Sequence, residues 1–144
     1  MKKSYVVLDS GIFLATVTSE PFTTQSDTLI EWCIRNQVQF VAPVLFQYEI
    51  VAVTRKWTHR NLMTYTSALM ARNKLQAYPI RFLLDAMLLD RAFDLATQYN
   101  RPTAYDSQYL AVAERYNCEF WTADEKLYNA IRQQNTLIRW IANY

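Results

Sequence analysis

The chain has 144 residues, of which 51% are hydrophobic and 19% charged, and its formal net charge is +2. This length suits a single domain over residues 1–144, and the apolar content excludes a disordered chain. No apolar run reaches the roughly 20 residues of a membrane span. The basic residues Lys2 and Lys3 precede an apolar run that Asp9 ends too early for a signal peptide, so we expect a cytoplasmic protein.

Scarce residue types exclude several kinds of site. Gly11 is the only glycine, which excludes a P-loop and a dinucleotide-binding G-x-G-x-x-G loop. His59 is the only histidine, which excludes an H-E-x-x-H zinc site, and its polar surroundings favour a solvated side chain over a catalytic triad. Cys33 and Cys118 lack metal-ligand spacing. Free thiols in a reducing compartment are expected, and a disulfide between them stays open.

The hydrophobic pattern predicts strands and helices in alternation. In the first half these are a strand over 4–8, a short helix over 10–17, a helix capped by Ser26 or Asp27 and ending near Asn36, a strand over 39–42, a long helix to about Trp57 with Pro43 in its first turn, a helix over about 60–73 and a strand near 75–80.

The second half continues the alternation beyond a long helix and the break at Pro102. We expect a helix over about 82–99 with Leu84, Met87, Leu88, Leu95 and Tyr99 facing inward, a helix over 104–116, a strand over 118–122, a helix over 125–134 and a strand over 137–141. This order predicts an α/β sandwich with a mostly parallel sheet. The ligand crevice of such a sheet lies at the carboxyl ends of its strands.

Two aspartates directly follow predicted strands, where the crevice is expected. Asp9 comes after the strand that ends at Leu8, and Asp124 comes just after the strand that ends at Thr122. Each also precedes a predicted helix and suits its N-cap. A structural role is an equal alternative for Asp9 and a strong alternative for Asp124.

Two further acids lie on helix faces that are predicted to be buried. Glu49 has apolar residues at i−4, i−3, i+3 and i+4, so its carboxylate loses hydration and needs a partner, a proton or a metal. A structural salt bridge is the alternative. Asp106 shares the inward face of its helix with Tyr109, Leu110 and Ala113, and its charge also complements the helix dipole.

All four acids can reach one crevice of the predicted sheet. Carboxylates that lie so near to one another repel, and some of them take up protons unless a cation neutralises their charge. Oxygen ligands favour Mg²⁺ or Mn²⁺ over zinc or copper, and a hard cation suits phosphodiester hydrolysis. The acid-free, basic stretch 50–84 suits a polyanionic substrate, and an ordinary solvated helix face is an equal alternative.

Four segments resemble the PIN-domain nucleases, and most closely the VapC-type toxins of bacterial and archaeal toxin–antitoxin pairs. They are VVLDS at 6–10, PVLFQYE at 43–49, YDSQYLAVAE at 105–114 and FWTADEKL at 120–127. The resemblance implies a three-layer α/β/α sandwich whose mostly parallel five-stranded sheet has the order 3-2-1-4-5. It also implies a set of acids that bind Mg²⁺ or Mn²⁺ and small hydroxyl residues that support them. The acids are Asp9, Glu49, Asp106 and Asp124, and the hydroxyl residues are Ser10 and Thr122.

Members of that family cleave RNA internally, commonly dimerise and are inhibited by a small antitoxin. The resemblance therefore implies a metal-dependent endoribonuclease that acts as such a toxin and forms a homodimer. Arg55, Lys56 and Arg60 would hold the RNA backbone. The alternative is a catalytically silent PIN-like module that binds RNA or protein. A phosphatase with an aspartyl nucleophile is disfavoured, because Gly11 stands where it needs a second Asp.

Overall fold

The structure is a computed structural model, and it describes residues 2–144. The strands within these residues are β1 Tyr5–Leu8, β2 Gln39–Pro43, β3 Ile80–Leu83, β4 Phe120–Thr122 and β5 Ile138–Trp140. The α-helices are α1 Ser10–Ala15, α2 Thr23–Arg35, α3 Leu45–His59, α4 Tyr65–Gln76, α5 Ala86–Gln98, α6 Tyr105–Tyr116 and α7 Glu125–Ile131. A short 3₁₀ turn, Ile141–Asn143, follows β5. No helix within residues 2–144 is long and apolar enough to cross a membrane.

The strands form one parallel sheet of order β3-β2-β1-β4-β5. β1 is central, with Tyr5 opposite Gln39 of β2 and Val7 opposite Phe120 of β4. The chain adds β2 and β3 on one side of β1. It then adds β4 and β5 on the other side, so the strand order changes direction at β1 and β4 while all the strands stay parallel. A ligand crevice is expected at this point, outside the carboxyl ends of the strands. The predicted sheet order and α/β/α layering are confirmed.

Strand β1 is buried on both faces of the sheet. Val6, Val7 and Leu8 are all buried, which explains why the strand has a continuous apolar run and no alternation. Helix α6 packs against β1 and β2 and buries Tyr109 and Leu110. The ends of β1 and α6 that carry acids therefore rest on a well-packed core.

The predicted N-cap of α2, Ser26 or Asp27, is wrong. The helix begins at Thr23, and Ser26 lies inside it with its side chain fully buried. Thr23 stabilises this earlier start, because its hydroxyl donates to the Ala15 carbonyl oxygen at 2.8 Å. The same hydroxyl accepts a hydrogen bond from the backbone amide of Glu20 at 2.9 Å. A contact with a residue outside the helix thus decides where the helix begins.

The expected place of Pro43 in the first turn of α3 is also wrong. Pro43 is the last residue of β2, opposite Leu83 of β3. The amide of Val44 donates to the Leu83 carbonyl oxygen at 3.1 Å, so the strand pairing extends past the proline. Proline is tolerated at the end of a strand, where its missing donor matters least.

Helix α4 and strand β3 lie later in the chain than predicted. Asn61 has a left-handed backbone with φ of 55°, which ends the run of α3. Thr64 then caps α4 by accepting a hydrogen bond from the Ser67 amide at 3.1 Å. The helix expected over 60–73 therefore begins at Tyr65, and β3 follows at 80–83 instead of 75–80.

The inward face of α5 is only partly as predicted. Leu88 and Leu95 are buried, but Leu84 is 63% exposed and Met87 is 77% exposed. Leu84 precedes the helix, which Asp85 caps. The buried face of α5 instead includes Ala92 and Ala96, whose small side chains allow α5 to pack closely on α6. A narrower apolar face is therefore enough to hold the helix in place.

Candidate functional site

Asp9 lies at the carboxyl end of β1 and is the N-cap of α1. Its Oδ1 accepts a hydrogen bond from the Ile12 amide at 3.0 Å. Its Oδ2 accepts from the Thr122 hydroxyl, and also from the Ala123 amide at 3.2 Å. The capping alternative is therefore present in the structure. The N-cap hydrogen bond uses Oδ1 of Asp9, whereas Oδ2 joins β1 to the end of β4 at the expected crevice.

The carboxyl group of Asp9 is strongly perturbed by its surroundings. Burial raises its pKa from 3.8 to about 7, and hydrogen bonds from Thr122 and two backbone amides offset only part of that rise. Gly11 packs closely beside it. A Cβ atom at Gly11 would lie 3.3 Å from Asp9 Oδ1 and 3.3 Å from Ala123 Cβ. Because Gly11 has no side chain, it leaves room for the Asp9 carboxylate beside it.

Glu49 lies near the start of α3, where it is partly buried. The Tyr109 hydroxyl donates to Glu49 Oε1 at 2.5 Å. The buried Tyr109 ring stacks on Phe120, with ring centroids 5.6 Å apart. Burial raises the pKa of Glu49, and hydrogen bonds with Tyr109 and the buried Ser10 offset part of that rise. Within residues 2–144 Glu49 has no salt bridge, so its partners are hydroxyl groups and not the cationic side chain considered as an alternative.

Asp106 lies in the first turn of α6 and is partly buried. Burial raises its pKa, the charge of Asp124 raises it further, and the nearby Arg101 guanidinium lowers it. The next residue, Ser107, is buried, and its hydroxyl has no hydrogen-bond partner within the described part of the chain. The charges of a second carboxylate and of a cationic side chain therefore act on Asp106 in opposite directions.

Asp124 is exposed just beyond β4 and is the N-cap of α7. Its Oδ1 accepts from the Leu127 amide at 3.0 Å, which is the structural use that the sequence favoured. Its own amide donates to Thr122 Oγ1 at 3.0 Å. The fully buried Thr122 hydroxyl also donates to Asp9, so this one side chain joins the two aspartates at the strand ends.

The four acids form a connected electrostatic series. Besides burial, which has the largest effect, the charge of Glu49 raises the pKa of Asp9 and the charge of Asp106 raises the pKa of Glu49. Asp124 acts in the same way on Asp106. Repulsion therefore links each acid to the next one in the series, from Asp9 through Glu49 and Asp106 to Asp124.

This set of carboxylates fits a divalent cation by charge and by donor type. A cation relieves the repulsion, and oxygen-only ligands suit Mg²⁺ or Mn²⁺. As the side chains stand, no three His, Cys, Asp or Glu residues within 2–144 are close enough together to hold an ion. The acids are thus neighbours in an electrostatic series, and as the side chains stand they do not form a closed cage.

The three predicted RNA-binding residues do not lie together. Lys56 and Arg60 come seven and eleven residues after Glu49, which returns both to the Glu49 side of an ideal helix, about 10 and 16 Å along its axis. Arg55 lies on another side. It lines a groove between α3 and α4 and donates to Thr58 Oγ1 at 3.0 Å. Only Lys56 and Arg60 therefore extend the face that carries Glu49.

Sequence patterns missed two side chains of the site. Arg101 precedes α6 and acts on Asp106. The sequence predicts Tyr109 on the inward face of α6 and indicates no role for it, although a hydroxyl on an apolar stripe needs a partner. That requirement was the available signal, but the identity of the partner, Glu49, depends on how α3 and α6 pack. Distant helices meet only in the folded chain.

Comparisons with known proteins agree with this fold. The sequence profile described as the PIN domain matches residues 6–132. No curated protein matches the chain. A crystal structure of PAE2754 from Pyrobaculum aerophilum is similar in fold, with a TM-score of 0.69 and 20% sequence identity over 99% of this chain and 94% of that chain. The family match covers most of the sequence, and the chain therefore belongs to the PIN domain family, whose members are generally metal-dependent nucleases that bind RNA.

Proposed function

We propose that the protein is a metal-dependent endoribonuclease that hydrolyses RNA phosphodiester bonds at Asp9, Glu49, Asp106 and Asp124. The observation that carries the proposal is the electrostatic connection of these four acids in a chain of the PIN domain family. Asp9 and Asp124 follow β1 and β4, and Glu49 and Asp106 lie near the starts of α3 and α6. Carboxylates connected in this way destabilise one another without a cation. Such a cost is typical of functional sites.

In this proposal Asp9, Asp106 and Asp124 hold the cation, which is Mg²⁺ or Mn²⁺. The bound ion supplies stabilisation of negative charge on the phosphate. Ser10 and Thr122 support the acids. Thr122 holds Asp9 and the Asp124 backbone in place, and the burial of its hydroxyl keeps water from competing for these bonds.

Glu49 accepts the proton of the attacking water in the proposed reaction. The new bond joins the water oxygen to phosphorus, the bond to the leaving ribose oxygen breaks in line with it, and the leaving oxygen takes a proton from solvent. Burial raises the pKa of Glu49, which makes its carboxylate a stronger base. Tyr109 orients Glu49 through its hydrogen bond.

The RNA backbone lies along Lys56 and Arg60 in this proposal, because Lys56 lies on the side of α3 that carries Glu49 and Arg60, the residue just after the helix, continues that side. Arg55 contributes less, since its side chain lines the groove towards α4. Basic side chains would hold the strand without reading its sequence.

We also infer a biological setting from the motif likeness to VapC-type toxins. The protein would be the toxin of a toxin–antitoxin pair, a cytoplasmic homodimer of single-domain chains that a small antitoxin protein inhibits. Co-expression with the product of a short neighbouring reading frame tests this setting, because an antitoxin would form a stable complex and suppress cleavage.

An RNA-cleavage assay tests the enzymatic proposal. We expect the wild type to cut RNA with Mg²⁺ or Mn²⁺ and to stop when EDTA removes the metal. Asp9→Asn and Asp106→Asn should lose the activity, whereas Asp94→Asn, a matched change on the exposed side of α5, should retain it. RNA binding by the wild type without metal-dependent cleavage on any RNA tested would favour a silent binding module instead.

A further inference from the structure

A cavity lies at the opposite end of the sheet from the four acids. Its volume is about 790 Å³, and residues at the amino ends of β1 and β4 and on α2 line it. Tyr5 and Asp9 mark the two ends of β1, and a strand rises about 3.3 Å per residue, so they are about 13 Å apart. None of the four acids lines the cavity, which is therefore distinct from the candidate site.

Aromatic side chains form much of the cavity wall. Tyr5 packs against Tyr116 with ring centroids 4.6 Å apart, and Trp121 packs against Tyr144 at 5.4 Å. Trp32, on α2, has no aromatic partner within residues 2–144 and is 48% exposed. A half-exposed indole beside other aromatic rings can act as a platform on which a planar ring stacks.

The charged groups around the cavity are predominantly positive. Lys2 and Lys3 line it, are exposed and form no salt bridge within the described residues. Glu119 also lines it, but its carboxylate accepts from Trp121 Nε1 at 2.9 Å and pairs with Arg139 Nε at 3.6 Å. The acidic charge already has partners and the two lysines do not. An anionic group is therefore the favoured ligand at this edge.

The deeper part of the cavity is apolar and uncharged. Leu29 and Val6 are buried there beside the free thiols Cys33 and Cys118. Burial raises the pKa of each thiol to about 11, so both are neutral near pH 7. An uncharged floor suits the flat, apolar face of a ring.

We propose that this cavity binds a nucleotide unit, with its base stacked on Trp32 and its phosphate beside Lys2 and Lys3. The volume falls within the roughly 300–1,000 Å³ of small-molecule sites. Stacking accepts any base because every base has a π face. The unit is either a free nucleoside monophosphate or the 5′-terminal nucleotide of an RNA strand. Binding of either kind of nucleotide in this cavity does not depend on the cleavage site.

Isothermal titration calorimetry with AMP and with adenosine tests this proposal. EDTA is present throughout, so that no metal can hold phosphate at the four acids. The variants are Trp32→Ala and the double change Lys2→Ala/Lys3→Ala. Phe93→Ala and Lys74→Ala are matched controls, since both residues are exposed and lie outside the cavity.

We expect AMP to bind the wild type and both controls with saturation below ~1 mM. Trp32→Ala should raise the AMP Kd by about tenfold, the loss expected for one base–aromatic stack. The double lysine variant should weaken binding of AMP and leave binding of adenosine unchanged. Absence of saturable AMP binding, or wild-type affinity in Trp32→Ala, would overturn the proposal.

A 5′-phosphorylated tetra-adenylate distinguishes the two sources of the nucleotide. Tighter binding of this oligonucleotide than of AMP assigns the cavity to the end of an RNA strand, and equal or weaker binding assigns it to the free nucleotide. RNA cleavage by Trp32→Ala should equal that of the wild type when the substrate is saturating. The binding proposal and the enzymatic proposal can therefore fail independently.

Discussion

The Tyr109 hydroxyl donates a hydrogen bond to Glu49 Oε1 at 2.5 Å and so joins α6 to α3. The two residues are 60 positions apart in the sequence. The Tyr109 ring is held in turn by its stacking on Phe120 of β4. Orientation of Glu49 therefore depends on a residue that is not an acid and that rests on the central part of the sheet.

The change Tyr109→Phe tests this dependence. The ring can still stack on Phe120, so the fold should be retained, but Glu49 loses the donor that orients it. We expect kcat for RNA cleavage to fall about tenfold, as for supporting residues of other sites, with little change in KM. The kcat profile should also move to higher pH, because the Tyr109 hydrogen bond lowers the pKa of Glu49. Tyr116→Phe, at the other end of α6, is the control, and equal kcat and pH profiles in the two variants would contradict the assigned role.

The change Gly11→Ala tests the space beside Asp9. The added Cβ would lie 3.3 Å from both Asp9 Oδ1 and Ala123 Cβ, and hydrogen bonds hold both neighbours in place. We expect Mn²⁺ affinity, measured by calorimetry, to fall several-fold. The melting temperature should change little, since alanine favours the helix by about 1 kcal/mol and offsets the crowding. Unchanged Mn²⁺ affinity would show that Asp9 can move aside without loss.

The raised pKa of Asp9 predicts how stability depends on pH in the metal-free protein. Between pH 3.8 and about 7 the folded state keeps the Asp9 proton and the unfolded state releases it. The free energy of unfolding should therefore fall as pH rises through this window, by at most about 1.4 kcal/mol per pH unit from this group. Urea unfolding in EDTA at pH 5 and pH 7 measures the effect.

Asp9→Asn removes the titrating group and should show a smaller decrease between pH 5 and pH 7 than the wild type. Asp94→Asn, which changes an exposed carboxylate on α5, should follow the wild type. The same pH dependence in all three proteins would mean that Asp9 ionises normally in the folded chain.

The basic residues of α3 should differ in their effect on RNA binding. Lys56→Ala/Arg60→Ala removes two charges on the Glu49 side and should raise KM for RNA about fivefold, with a weaker dependence of KM on salt. Arg55→Ala should change KM less, because its side chain lines the groove towards α4. A larger effect of Arg55→Ala would place the RNA along that groove instead.

Much of the fold could be predicted from the sequence because its signals are local. The apolar run up to Leu8 marks a central strand, and strands that alternate with helices imply a parallel sheet. Local signals failed where a tertiary contact decides. Thr23 starts α2 through a bond to Ala15, and the pairing of Val44 with β3 keeps Pro43 in its strand. The expectation of a single domain over residues 1–144 stays a prediction.

The candidate site was predictable to the level of residue type and less so in its connections. Acids that follow strands or lie on apolar helix faces indicate the carboxyl ends of the strands as the candidate site, which stays a prediction. The bond between Glu49 and Tyr109 and the influence of Arg101 on Asp106 join residues distant in sequence or outside any periodic pattern. Both depend on packing that one sequence does not reveal.

The most direct test of the central claim is a double-mutant cycle in single-turnover RNA cleavage with Mn²⁺. If Asp9 and Asp106 act in one metal-dependent site, each single Asn variant should slow cleavage by about 100-fold or more, and the double variant should be hardly slower than either. Losses that multiply in the double variant would contradict a shared site. Cleavage at the wild-type rate by the single variants would contradict the assignment altogether.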